Sequence, residues 1–194
     1  GIHISNDLTK SANNTIKDNI VNDNTDEGIY VLGIYTDIIS NTIKYNEKHG
    51  IHVLASGART TIEQNTIIDN EDSGVIVKAN YGVIKLNTID GDTSSAALVV
   101  NGGRSASITN NTVEGGAQGI KIQSSNNVFI YNNTVKSNSD YGIYLLLDSM
   151  SGDIKSNTVK DNEDVGIYLS NSNLTDVKDN IIEDNNDYGL SNLF

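Results

Sequence analysis

The chain contains no cysteine, no proline and no tryptophan, and only 13 of its 194 residues are lysine or arginine, against 25 aspartate and glutamate. Each absence excludes something. Without cysteine there is no disulfide framework and no thiolate metal site. Without proline, a chain carrying 17 glycines must turn through Gly, Asn, Asp and Ser alone. A net charge of −12 repels both a nucleic-acid phosphate backbone and an anionic membrane surface, so neither is expected as a partner. No run approaches the roughly 18 consecutive apolar residues of a membrane span, so membrane insertion is not expected. No charged-then-apolar leader opens the chain, and residue 1 is therefore expected to begin a processed or excised segment.

What the chain has in abundance is repetition. One column is Gly followed by alternating apolar residues: Gly28-Ile29-x-Val31, Gly50-Ile51-x-Val53, Gly74-Val75-x-Val77, Gly119-Ile120-x-Ile122, Gly142-Ile143-x-Leu145 and Gly166-Ile167-x-Leu169, with Ala96-Ala97-x-Val99 filling the gap. A second column is an asparagine at Asn19, Asn41, Asn65, Asn87, Asn111, Asn133, Asn157 and Asn180, in steps of 22, 24, 22, 24, 22, 24 and 23. A fixed period over the whole chain is the mark of a solenoid. Within each period the apolar residues alternate with period two in three short stretches, and no stretch shows sustained helical spacing. Three strands and three turns per period predict an all-β parallel β-helix of about eight coils. Stacked at about 4.8 Å, these make a single rod some 40 Å long over residues 1–194.

The asparagine column has a physical reason. An amide at the same corner of every coil donates to one copy of itself and accepts from another, satisfying polar groups at a buried bend. The Thr that follows it faces outward, and the next Ile or Val points into the core. These repeats, including "GIYLSNSNLTDVKDNIIEDNNDYG" at 166–189, resemble the right-handed parallel β-helix repeat family of NosD-like, carbohydrate-binding and sugar-hydrolase domains. The resemblance covers essentially the whole chain. It implies the fold, but its members range over polysaccharide lyases, uronan epimerases, adhesins and surface proteins, so activity stays open. A leucine-rich repeat also builds an Asn ladder, but needs a Leu-x-x-Leu-x-Leu strand that is missing here.

Several groups are candidates for chemistry. Asn and Asp recur two apart after the third strand, and Asp140, Asp164 and Asp187 fall in successive coils. Such a column suits Ca²⁺, although Asx turns with solvated carboxylates also explain it and are favoured. The x of Gly-Ile-x-Val is expected to face outward, as a column of His3, Tyr30, His52, Ile76, Leu98, Lys121, Tyr144 and Tyr168. Of these, Tyr30, His52, Lys121, Tyr144 and Tyr168 are the candidate contacts for a glycan, because sugar-active members of the resembling family present this sheet to their substrate. Arg59 and Arg104 fall in equivalent turns two coils apart, where they would grip carboxylates or merely decorate loops. No residue set breaks the repeat as an active site does, and the uronan-epimerase signature Tyr-Gly-x-Asp-Pro-His is absent; no catalytic residue is assigned. Sequons at Asn13, Asn110, Asn132 and Asn173 fit a secreted glycoprotein, though Asn abundance alone produces several.

The leading expectation is a non-enzymatic extracellular or cell-surface rod, serving as a surface-layer, filament or adhesin module. The alternative is a carbohydrate-binding or polysaccharide-modifying, lyase- or epimerase-like β-helix. The chain starts and stops within a coil. It is therefore expected to be one segment of a longer protein or of a head-to-tail polymer, with Ile2, Ile4, Leu190 and Leu193 continuing the core across the junction.

Overall fold

A period of 22 to 24 residues leaves room for three strands of three or four residues, and the computed structural model shows them winding into a right-handed parallel β-solenoid of about eight turns. Described are residues 1–5, 13–146, 149, 152–172 and 175–193. Sheet 1 has nine strands, running from Ile2–Ile4 and Ile29–Val31 through Ile167–Ser170 to Leu190–Leu193. Sheet 2 has eight, from Asn14–Lys17 to Asp176–Lys178, and sheet 3 has eight, from Ile20–Asn22 to Ile181–Glu183. Neighbouring strands pair in parallel, each with the strand one coil away in the sequence. Among the described residues there is no helix, and hence none long and apolar enough to cross a membrane.

Alternation within each strand fills the interior. Ile29, Ile51, Val75, Leu98, Ile120, Ile143 and Ile167 stack in one fully buried column of sheet 1. Ile38, Ile62, Ile84, Ile108, Ile130 and Ile154 do the same in sheet 2. Each such side chain contributes about 1.5–3 kcal/mol by leaving water.

The corner between sheets 2 and 3 is held by asparagine. Asn41 Nδ2 donates to Asn65 Oδ1 at 3.0 Å, to Ile39 O at 3.0 Å and to Ile16 O at 2.9 Å, while Asn41 N–H donates to the same Asn65 Oδ1 at 2.9 Å. Asn65, Asn87, Asn111, Asn133 and Asn157 repeat the pattern, which runs on to Asn180. The residue before each ladder member, from Ser40 and Gln64 to Ser156 and Asp179, is left-handed, with φ between 54 and 58°. That reversal turns the amide inward.

A second ladder stands at the corner between sheets 3 and 1. Asn24, Asn46 and Asn70 are linked Nδ2 to Oδ1 at 2.7 Å in each step, and Asn138, Asn162 and Asn185 at 2.8 and 2.7 Å. Asn46, Asn70, Asn138 and Asn162 are buried. In the sequence these residues read only as companions of the acidic turns; their side chains point into the interior instead. Gly116 takes the place of an amide between the two halves, its N–H donating to Asn138 Oδ1 at 3.2 Å.

Two details of register correct the sequence reading. Ala97, not Ala96, stands in the glycine column, since Val75 N–H donates to Ala97 O and Leu98 N–H to Gly119 O, both at 3.0 Å. Leu98 is therefore a core residue, and Val99 takes the outward place between Ile76 and Lys121. Alanine fits there because of what faces it. A Cβ on Gly28, Gly50, Gly119, Gly142 or Gly166 would meet a second-ladder amide at 2.7–2.9 Å, whereas the corresponding place opposite Ala97 belongs to Gly116. At the far end of sheet 1, Leu190 pairs with Ile167 on the core side, but Leu193 pairs with Ser170 on the outward side and Asn192 takes the inward place beside Leu169. Ile2 and Ile4 are half-buried and pack against the core.

Candidate functional site

Strict parallel register brings one residue of each coil to the outer face of sheet 1 at about 4.8 Å spacing. The observed column is His3, Tyr30, His52, Ile76, Val99, Lys121, Tyr144, Tyr168 and Ser191. Beside it runs a second column made by the residue preceding each glycine, including Glu27, His49, Ala96 and Tyr141.

Together the two columns form two clusters separated by an apolar patch of Ile76, Ala96 and Val99. In the first, the rings of His3 and Tyr30, Tyr30 and His52, and His49 and His52 meet edge to face at 4.9, 5.3 and 5.0 Å. His52 Nδ1 lies 3.1 Å from Glu27 Oε1, and its Nε2 is buried without a partner. His49 Nδ1 accepts the Ser73 N–H at 3.2 Å. Burial, reinforced by the His52 ring, pushes the His49 pKa below the ordinary histidine value. Asp26 and Lys48 pair at 2.5 Å on the rim.

The second cluster is a tyrosine platform. Tyr141 stacks on Tyr168 at 4.9 Å with planes 21° apart; Tyr144 lies 4.9 Å from Tyr141 and 5.4 Å from Tyr168. Lys121 Nζ sits 5.9 Å from the Tyr144 ring centroid. Burial raises the Tyr141 and Tyr144 phenol pKa values; neighbouring Asp140 adds to this in Tyr141, and Tyr168 adds in Tyr144. Both phenols are therefore neutral donors over an apolar plane, which suits the faces of sugar rings.

Tyr30 and His52 thus sit in the first cluster, and Lys121, Tyr144 and Tyr168 in the second. Glu27 and Tyr141 escaped the sequence reading, which followed only the x position. The residue before each glycine was the signal.

Asp140, Asp164 and Asp187 stack through their backbones, with Asp164 N–H to Asp140 O at 3.0 Å and Asp187 N–H to Asp164 O at 3.1 Å. Asp140 Oδ2 accepts from Gln118 Nε2 at 2.9 Å. Among the described residues no group of three or more His, Asp or Glu is placed to hold a metal ion. Asn13, Asn110 and Asn132 are exposed, and Asn132 Nδ2 donates to Asn110 Oδ1 at 2.5 Å. Asn173 lies outside the described residues. Arg59 and Arg104 stand in equivalent turns two coils apart but one position out of step: Arg59 N–H donates to Asn80 O and Tyr81 N–H to Arg104 O, so Arg59 is level with Tyr81 and Arg104 with Asn80.

Residues 57–193 match the family described as a right handed beta helix region, and residues 3–93 match NosD, a periplasmic copper-binding protein. Among the described residues His3 and His52 stand on either side of Tyr30, and no group of three or more His, Asp or Glu is placed to hold a copper ion. No curated protein matches the chain in sequence. Among solved structures, the periplasmic alginate epimerase AlgG is similar at 18% identity and TM-score 0.67, covering 93% of this chain and 44% of its own. A DFA-IIIase from Arthrobacter chlorophenolicus A6 is similar at 11% identity and TM-score 0.62, covering 75% and 40%. The mannuronan C-5 epimerase A-module of Azotobacter vinelandii is similar at 12% identity and TM-score 0.56, covering 92% and 64%. The chain therefore spans less than two thirds of each.

Proposed function

We propose that this chain, which belongs to the right-handed β-helix family, is a polysaccharide-binding module that lays a sugar chain along the outer face of sheet 1. The observation that carries this reading is the platform of Tyr141, Tyr144 and Tyr168, continued by Lys121 and, across Ile76 and Val99, by the Tyr30 and His52 cluster. Sugar rings stack their apolar C–H faces on such planes, while neutral phenols and a lysine supply donors at the edges. A row with one residue per coil suits an extended polymer better than a single small molecule. The names of the similar structures, two uronan epimerases among them, weigh toward carbohydrate rather than a purely structural rod. The periplasmic NosD and alginate epimerase support a location outside the cytoplasm.

The test is affinity electrophoresis through gels containing soluble neutral and acidic polysaccharides. The wild type is expected to be retarded by at least one, and Tyr144→Ala with Tyr168→Ala to weaken that binding at least tenfold without loss of the β-rich circular dichroism. A wild type that no polysaccharide retards would overturn the reading. A second reading, polysaccharide modification, is favoured by the His52–Glu27 contact beside Tyr30, which sets a potential base next to a potential acid. It requires turnover: new reducing ends, unsaturated products or a changed uronate composition, each abolished by His52→Gln.

A further inference from the structure

The corner between sheets 1 and 2 differs in charge from the rest of the molecule. Five successive turns there, residues 32–35, 54–60, 78–82, 102–106 and 124–128, contain no aspartate or glutamate, in a chain that has 25. The same turns hold both arginines of the protein, Arg59 and Arg104, together with Lys78. Among the described residues neither arginine has a carboxylate within 4.0 Å, although six of the lysines do. Two cationic forks thus stand without a carboxylate partner in a protein with a net charge of −12.

The aromatic neighbours of Arg59 give the corner a shape. The Arg59 guanidinium lies 5.8 Å from the Tyr35 ring and 5.2 Å from the Tyr81 ring, one coil to either side. All three side chains are exposed. All three residues are also left-handed, with φ of 53° at Tyr35, 61° at Arg59 and 59° at Tyr81. Glycine or asparagine adopts that conformation most cheaply, and the same column does carry Asn127 further along. Left-handed residues stand at the other corners of the solenoid too, Tyr45 and Leu86 among them, so what distinguishes this corner is the arginine between two exposed rings and not the backbone. Both rings lie within cation–π range of the Arg59 guanidinium, and an exposed guanidinium fork is suited to a two-oxygen anion.

From this we propose that the corner is a second binding site, separate from the sheet 1 platform, for the anionic group of an acidic saccharide. Arg59 forks onto a carboxylate or sulfate. Tyr35 and Tyr81 cover the ring that bears it, and Lys78 and Arg104 supply the surrounding positive field. The inference uses none of the tyrosines of the sheet 1 face, so either site stands if the other fails.

The experiment is affinity electrophoresis at low ionic strength through gels containing polygalacturonate, dextran sulfate or uncharged dextran. The variants are Arg59→Gln with Arg104→Gln, Tyr35→Ala with Tyr81→Ala, and a control, Lys160→Gln, at a surface lysine paired with Asp161 on another face. The wild type is expected to be retarded by at least one charged polymer and not by dextran, with retardation lost as salt is raised. The arginine variant is expected to bind at least tenfold more weakly, the tyrosine variant to bind more weakly with its salt dependence intact, and the control to match the wild type. Retardation by polygalacturonate alone identifies a carboxylate, by dextran sulfate alone a sulfate, and by both an anion of either kind. The proposal is overturned if neither charged polymer retards the wild type, or if the folded arginine variant is retarded as strongly.

Discussion

Asn133 Nδ2 donates to Asn157 Oδ1 at 3.0 Å, one coil further along the axis, and Asn133 Oδ1 receives both the N–H and the amide of Asn111 from the coil behind at 2.9 and 3.0 Å. Replacing Asn133 with leucine removes the acceptor for two buried donors and strips a partner from Ile108 O and Tyr131 O. Each orphaned group costs about 1–3 kcal/mol. Asn133→Leu is therefore expected to lower stability by at least that amount in denaturant titration. An unchanged midpoint would mean that the column is solvated.

The glycine column leads to a second expectation. A Cβ on Gly142 would lie 2.6 Å from Gly166 O and 2.8 Å from Asn162 Nδ2, whereas one on Gly74 would lie 3.1 Å from Ala97 O and meet no ladder amide. Gly142→Ala is expected to destabilise by about 1–3 kcal/mol through overpacking. Gly74→Ala is expected to cost less, and the melting temperatures of the two variants rank them.

His49 gives the fold a pH dependence. Burial and the facing His52 ring lower its pKa, opposed by Asp72 and Glu27, while Lys78 adds to the lowering. The unfolded chain, with an ordinary histidine value of about 6.5, then binds more protons than the folded one as pH falls. Stability is present above about pH 6.5 and is lost as pH falls through the depressed folded value. His49→Gln, which keeps a polar group beside the Ser73 N–H, is expected to flatten the dependence of the urea midpoint between about pH 7 and 5. An equally steep profile in the variant would assign that dependence to other groups.

The acidic turns give a fourth. Asp140 already accepts from Gln118, and the described residues form no metal cluster around Asp164 and Asp187. Millimolar Ca²⁺ and a chelator are expected to give the same melting curve. A rise in melting temperature with Ca²⁺, removed by Asp164→Asn, would restore the cation site.

The coil count, the three sheets and the Asn41 to Asn180 corner were legible because each repeats in sequence at the period of the structure. Failures came where the repeat is broken or where two chemistries share one residue type. At Ala96 and Ala97 two identical residues leave the register ambiguous by one, and only the pairing with Gly74 and Gly119 resolves it. Asn46 and Asn162 look like any turn asparagine; that they face inward depends on the left-handed Tyr45 and Asp161 before them, which no composition rule foretells. The sheet 1 face was half legible. Tyr144 and Tyr168 follow from strand alternation, but Tyr141 reaches them from a turn, where period-two reasoning does not apply.

The first ladder joins each asparagine to the amide 22 to 24 positions away and to a carbonyl no more than 27 positions away. A chain emerging at about 5–20 residues per second completes such a unit every one to five seconds. A coil completed at that pace can add to a neighbour already folded behind it, because its partners lie within one turn of the chain. Growth of this kind resembles crystallisation on a seed more than the collapse of a finished chain. Its slow step is whichever coil forms before any other, because that coil has no neighbour to copy.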